Sequence, residues 1–98
     1  MITREKMREV VLEHVEAENV HDRERVLATY SHEEPVFEDV PSGMRYVGGE
    51  QIVGNYGHLW EGFPGLKRDI TRWTFGDDSV VIELTQRVLD GGLFGTSM

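Results

Sequence analysis

The chain has 98 residues, 39% of them hydrophobic and 29% charged, with a formal net charge of -8, which describes one globular domain over residues 1–98 and excludes a disordered segment. The acidic balance, with no cluster of Lys and Arg, argues against nucleic acid or an anionic membrane as a partner, because either needs a basic surface to displace counterions. Cysteine is absent, so thiol catalysis, disulfides and thiolate metal sites are excluded; with a charged rather than apolar N-terminal run, no membrane span is expected and a cytoplasmic protein is the default.

Thr3 is placed to cap a first helix in which Met7, Val10, Val11 and Val15 fall at helical spacing, and the same stripe continues through His14 and Glu18. Two ionisable groups on that side must be paired, lie at its edge, or line a cavity. Asn19 can end the helix and Asp22 can cap a second, shorter one whose apolar face is Val26, Leu27 and Tyr30. Ser31 to Glu34 then reads as a polar loop before Pro35, with His21 and His32 expected in solvated connections.

The next stretch, Val36 to Gly48, holds the most function-like feature of the sequence. Its alternation puts Phe37 and Asp39 on one strand face, Pro41-Ser42-Gly43 forms a tight turn, and Met44 to Val47 return as a second strand. A carboxylate at a strand end, beside a turn and an aromatic ring, suits a base in a pocket; a turn cap made by its own side chain explains it equally well.

Gly48-Gly49 opens a third helix with the apolar set Ile52, Val53, Tyr56, Leu59, Trp60 and Phe63, stopped by Gly62 to Gly65. His58 and Glu61 share a face of it at i, i+3, as metal ligands can, but no second pair with that spacing falls within one of the expected helices, so a solvated face is preferred and no metal is expected. Leu66 to Phe75 and Val80 to Leu89, joined by Gly76-Asp77-Asp78-Ser79, read as a long β-hairpin. Strict alternation sets Lys67, Asp69, Thr71, Trp73 and Phe75 against Leu66, Arg68, Ile70, Arg72 and Thr74, giving two mixed faces. The glycine-rich tail from Asp90 to Met98 reads as a loop or frayed end.

The order of these elements, with Phe37-Glu38-Asp39-Val40-Pro41-Ser42-Gly43, Tyr46-Val47-Gly48, Asn19 to Asp22, Phe63-Pro64-Gly65-Leu66 and the turn at Asp77-Asp78, resembles the SnoaL-like branch of the nuclear-transport-factor-2-like (NTF2-like) superfamily from Met7 to about Thr96. The resemblance implies an α+β fold: an NTF2-like cone in which three N-terminal helices pack on a bent antiparallel sheet around an apolar pocket, commonly as a dimer. Such domains continue with further C-terminal strands, which are expected to be missing or truncated here, either because the chain is a fragment or because it is a short form completed by another subunit; a homodimer or higher homo-oligomer burying the outer face of the long hairpin is expected.

Through the ketosteroid isomerases of that superfamily, whose acid/base chemistry is well understood, the resemblance implies three catalytic positions. Asp39 matches the general base, His14 stands where those enzymes have an oxyanion-donating tyrosine, and Tyr56 matches a tyrosine that supports that donor. Phe37, Tyr30, Trp60, Phe63 and Trp73 are the candidate substrate-binding residues, with core the preferred reading for the last three. Two functions follow: an isomerase or polyketide-cyclase-like enzyme acting on an apolar carbonyl compound without a cofactor, or a catalytically silent ligand-binding or dimerisation module.

Overall fold

Thr3 starts the fold as expected: its hydroxyl accepts the Lys6 N–H at 3.1 Å and caps α1, Arg4–Asn19. In the computed structural model, which describes residues 2–88, Asp22 likewise caps α2, Arg23–Ala28, by accepting from the Arg25 N–H. A short hairpin follows, β1 (Val36–Asp39) and β2 (Met44–Val47), then α3 (Gly49–Gly62), and finally a long hairpin of β3 (Leu66–Phe75) and β4 (Val80–Val88). Gly48 enters α3 at φ +86 and Gly43 closes the first turn at φ +75, backbone angles that disfavour a Cβ. The readings of Leu89 and of the tail lie outside the described residues.

The helical stripes point where their periodicity directs them. Ala17, Val26, Ile52 and Tyr56 form the buried cluster, with Tyr30, Phe37, Tyr46 and Trp60 packed against it. Met7, Val15 and the strand-end residues Leu66 and Val88 are buried as well. The fold is thus mixed α+β, consistent with an NTF2-like domain; among the described residues the strands form two antiparallel pairs, β1–β2 and β3–β4, in place of one continuous bent sheet.

The expected faces of β3 require correction. Leu66 pairs with Val88, Arg68 with Gln86 and Ile70 with Leu84, but the register shifts between Ile70 and Arg72, after which Trp73 pairs with Ile82 and Phe75 with Val80. One extra residue in β3 therefore moves Trp73 and Phe75 onto the face of Leu66, Arg68 and Ile70. That face meets α1: the Arg8 guanidinium lies 4.6 Å from the Trp73 ring centre and Arg4 5.2 Å from that of Phe75. The outer face is charged, with the ion pairs Asp69–Arg87 at 2.7 Å and Arg72–Glu83 at 3.5 Å.

His21 is the second correction. Instead of sitting in a solvated link, it is half-buried at φ 56, donates from Nε2 to the Leu66 carbonyl at 3.0 Å, and stacks on Trp60 with ring centres 4.8 Å apart and planes 3° from parallel. Trp60 also leans on Tyr56 at 5.2 Å. Trp60→Ala is therefore expected to cost about 3 kcal/mol, at the low end for a tryptophan because the ring is only part-buried. Urea unfolding measures it; an unchanged midpoint would show that the stack contributes nothing.

Candidate functional site

Helical spacing brings His14 and Glu18 inward one turn apart, and Glu18 is buried, with 4% of its surface exposed. A carboxylate there needs partners, and it has three. Tyr56 donates its hydroxyl hydrogen to Oε2 at 2.6 Å, Arg68 Nη1 donates to the same oxygen at 2.8 Å, and His14 Nε2 stands 3.3 Å away. Asn19 fixes Arg68 in place, since its side-chain amide accepts from the Arg68 N–H at 2.7 Å and donates to the Arg68 carbonyl at 2.8 Å. The end of α1 thereby mimics a strand partner for β3. Lys67 adds a bond from Nζ to the Asn19 carbonyl.

Partners on both sides hold the His14 ring. Thr29 Oγ1 is 2.6 Å from the Val26 carbonyl, a separation that requires the hydroxyl hydrogen between them. Thr29 must then accept from His14 Nδ1, at 2.7 Å. On the other side, Nε2 faces only the Glu18 carboxylate and, at 3.4 Å, the Tyr56 oxygen, whose hydrogen is committed to Glu18. The His14 ring thus bridges Thr29 and the Glu18 carboxylate. Tyr30 completes the set, its oxygen 3.5 Å from that of Tyr56.

Burial alone would push the Glu18 carboxyl up. The His14 hydrogen bond, the charges of Arg68 and His14 and the Tyr56 hydrogen bond outweigh it and hold the carboxyl below its usual range. Burial and the adjoining Glu18 carboxylate push the Tyr56 phenol well above its ordinary range, and burial raises Tyr30 too.

A cavity of about 200 Å3 opens beside this network, lined by Phe37, Asp39, Tyr46, Asn55, Tyr56, Leu59 and Arg68. The β1–β2 register explains the aromatic wall: Phe37 pairs with Tyr46 and Asp39 with Met44 on the inward face, with the two rings stacked 5.7 Å apart. Asp39 itself is exposed rather than desolvated beside Phe37, and its Oδ2 accepts from the Ser42 hydroxyl at 2.7 Å. It serves as a turn acceptor while facing the cavity.

Of the residues expected from sequence, Asp39, Tyr56 and Phe37 meet at this cavity. His14 and Tyr30 line a separate one with Val10, Val11 and Thr29, on the other side of the network. Trp60 borders a surface cleft with His21, Arg23, Gly54, Gly57, His58 and Glu61. Phe63 caps the end of α3 through its N–H to the Leu59 carbonyl at 3.0 Å, and Trp73 packs against Phe75 and Arg8. Neither borders the Asp39 cavity. Among the described residues no group of three His, Cys, Asp or Glu could hold a metal ion. Glu18 and Arg68 were not expected at the site; Glu18 was visible as an acidic position in an apolar stripe, and Arg68 as a cation alternating between Leu66 and Ile70.

Three helices, two antiparallel hairpins and an aromatic-walled cavity against a buried polar network define an α+β domain of the NTF2-like superfamily. Residues 11–94 match the family model described as SnoaL-like domain, and the chain belongs to that family. SnoaL-like domains bind small molecules. No curated protein matches the chain. Among the described residues no helix is long and apolar enough to cross a membrane.

Proposed function

We propose that this SnoaL-like domain binds a small apolar carbonyl compound in the Asp39 cavity and, as an isomerase or cyclase, removes a proton next to its carbonyl. One observation carries the reading: a carboxylate, aromatic walls and a guanidinium border the same cavity. Phe37, Tyr46 and Leu59 hold the apolar body, and Asp39 is the base. Oδ2 is committed to Ser42, so Oδ1 takes the proton. Tyr56, in the cavity wall, and His14, which borders the other cavity, act by holding Glu18 and through it Arg68. No cofactor enters the step, and the cysteine-free sequence suits a reducing, cytoplasmic setting.

The test uses phenylacetone, whose hydrogens next to the carbonyl exchange slowly in D2O. The expected result is exchange above the buffer rate together with shifted amide resonances at Phe37, Tyr46 and Leu59. Exchange at the buffer rate with no shift at those residues would overturn it. The second reading, a silent binding module, is favoured by the exposure of Asp39 and its bond to Ser42; shifts without exchange would establish it.

We also infer a homodimer. Support comes from the apolar pair Val36 and Val47, exposed by 37% and 36%, on the outer face of the first hairpin and from Leu84, still 37% exposed on the α1-facing side of the second, since paired strands with uncovered apolar side chains associate readily. The charged outer face of the long hairpin, where burial was expected from sequence, is the less suitable surface. Light scattering at about 10 to 50 µM, an ordinary range for such association, is expected to give twice the chain mass. A monodisperse monomer would refute the inference.

A further inference from the structure

We propose that Arg68 is a catalytic residue, and that the cavity takes ketones whose oxygen becomes an enolate against its guanidinium; this rests on the reading of Asp39 as the base. The donors expected from the sequence are occupied. His14 has both nitrogens engaged and borders the other cavity, and the Tyr56 hydrogen is held by Glu18. Among the described residues Arg68 is the one cation bordering the Asp39 cavity. It spends Nη1 on Glu18 and Nε on Gln86 at 3.2 Å, while Nη2 has no hydrogen-bond partner among the described residues.

Charge placement points the same way. Arg68 brings its guanidinium to the wall of the Asp39 cavity and is paired behind with the buried Glu18 carboxylate. The two side chains are 22% and 5% exposed, so solvent screens their charges only in part. Asp39 borders the same cavity from the exposed side.

When Asp39 takes the proton, the C–H pair becomes the C=C bond and the carbonyl π pair moves to oxygen. The negative charge passes from Asp39 to the ligand oxygen, and the returning proton is delivered from Asp39 to carbon. No other reactant is needed. An enolate placed at Arg68 Nη2 meets a fixed cation that is already oriented by Asn19, Glu18 and Gln86, which is how a preorganised donor favours a developing charge over the neutral ground state.

The experiment compares wild type, Arg68→Gln, Arg68→Lys and Asp39→Asn with two probes: phenylacetone for turnover and phenylacetate as a stable anion. Exchange of phenylacetone is expected to fall about 100-fold in Arg68→Gln and by about tenfold in Arg68→Lys, which retains the charge opposite Glu18 but loses the fork of donors. Phenylacetate should bind about tenfold more weakly to Arg68→Gln, and more tightly to Asp39→Asn than to wild type, because a like charge has been removed. Should Arg68→Gln not fold, the Arg68→Lys loss and the tighter binding to Asp39→Asn decide the matter. Exchange abolished by Asp39→Asn but unaltered in either Arg68 variant would overturn the role of Arg68 and leave the base intact. Exchange unaltered by Asp39→Asn would remove the base, and phenylacetate affinity equal in wild type and the Arg68 variants would overturn the anion site on its own.

Discussion

Glu18→Ala is expected to cost about 3 to 5 kcal/mol, because it leaves the part-buried Arg68 guanidinium without its carboxylate partner. The Tyr56 hydroxyl loses its acceptor as well. A domain of this size has total stability of about 5 to 15 kcal/mol, so the variant should melt tens of degrees lower, at roughly 4 to 8 °C per kcal/mol, or fail to fold. Glu18→Gln is the gentler companion, since its amide oxygen can still accept from Tyr56 and Arg68. A melting point for Glu18→Ala within a few degrees of wild type would mean that the network contributes little to the fold.

The same carboxylate sets an acid limit. Its folded form is held below the ordinary value of 4.5, so as pH falls the unfolded chain takes up the proton first. The stabilisation is therefore complete above about pH 4.5 and is lost as pH drops below it, through the lower folded value. Glu13 and Asp69, held down by Arg25 and Arg87, shift in the same direction but at exposed positions. Tyr56 and Tyr30 act at the opposite end: their raised phenols favour the fold below pH 10.0 and withdraw that support above it. Unfolding free energy measured from pH 6 to pH 3 should fall steeply in wild type and more gently in Glu18→Gln. Equal slopes would assign the acid limit to other groups.

Local pattern was enough for the elements and their caps, because Thr3, Asp22, Gly48 and the Pro41-Ser42-Gly43 turn act through neighbours within a few residues. The apolar stripes of α1 and α3 were equally legible, down to the intrusion of His14 and Glu18. What the pattern could not supply was long-range pairing. Glu18 meets Arg68 across 50 positions, and His21 meets the Leu66 carbonyl across 45; no local rule selects those partners. The extra residue near Thr71 had the same hidden quality, since nothing in Asp69-Ile70-Thr71-Arg72 announces a register shift, yet it decides which face receives Trp73 and Phe75. Asp39 stood between the two cases: its strand, turn and aromatic neighbour were readable, whereas the cation across its cavity was not.

Asp39→Asn is expected to lower the exchange of phenylacetone about 10² to 10⁴-fold while leaving the melting point nearly unchanged. The turn explains the unchanged fold. Asn retains an oxygen that can accept from the Ser42 hydroxyl, and that hydroxyl continues to receive the Met44 N–H at 3.2 Å. Asp39→Ala removes the acceptor and should cost about 0.5 to 1.5 kcal/mol, so the two variants separate the roles of one carboxylate: Asn tests the proton, Ala tests the turn. The exposure of Asp39 adds a further condition. A hydrated carboxylate is a weak base, so proton removal requires the ligand, seated against Phe37 and Tyr46, to exclude water from Oδ1. Exchange should therefore saturate with phenylacetone concentration, as acetate added to buffer would not. If Asp39→Asn exchanges the probe as fast as wild type while Asp39→Ala is destabilised, the carboxylate is a turn residue, and the cavity belongs to a binding module.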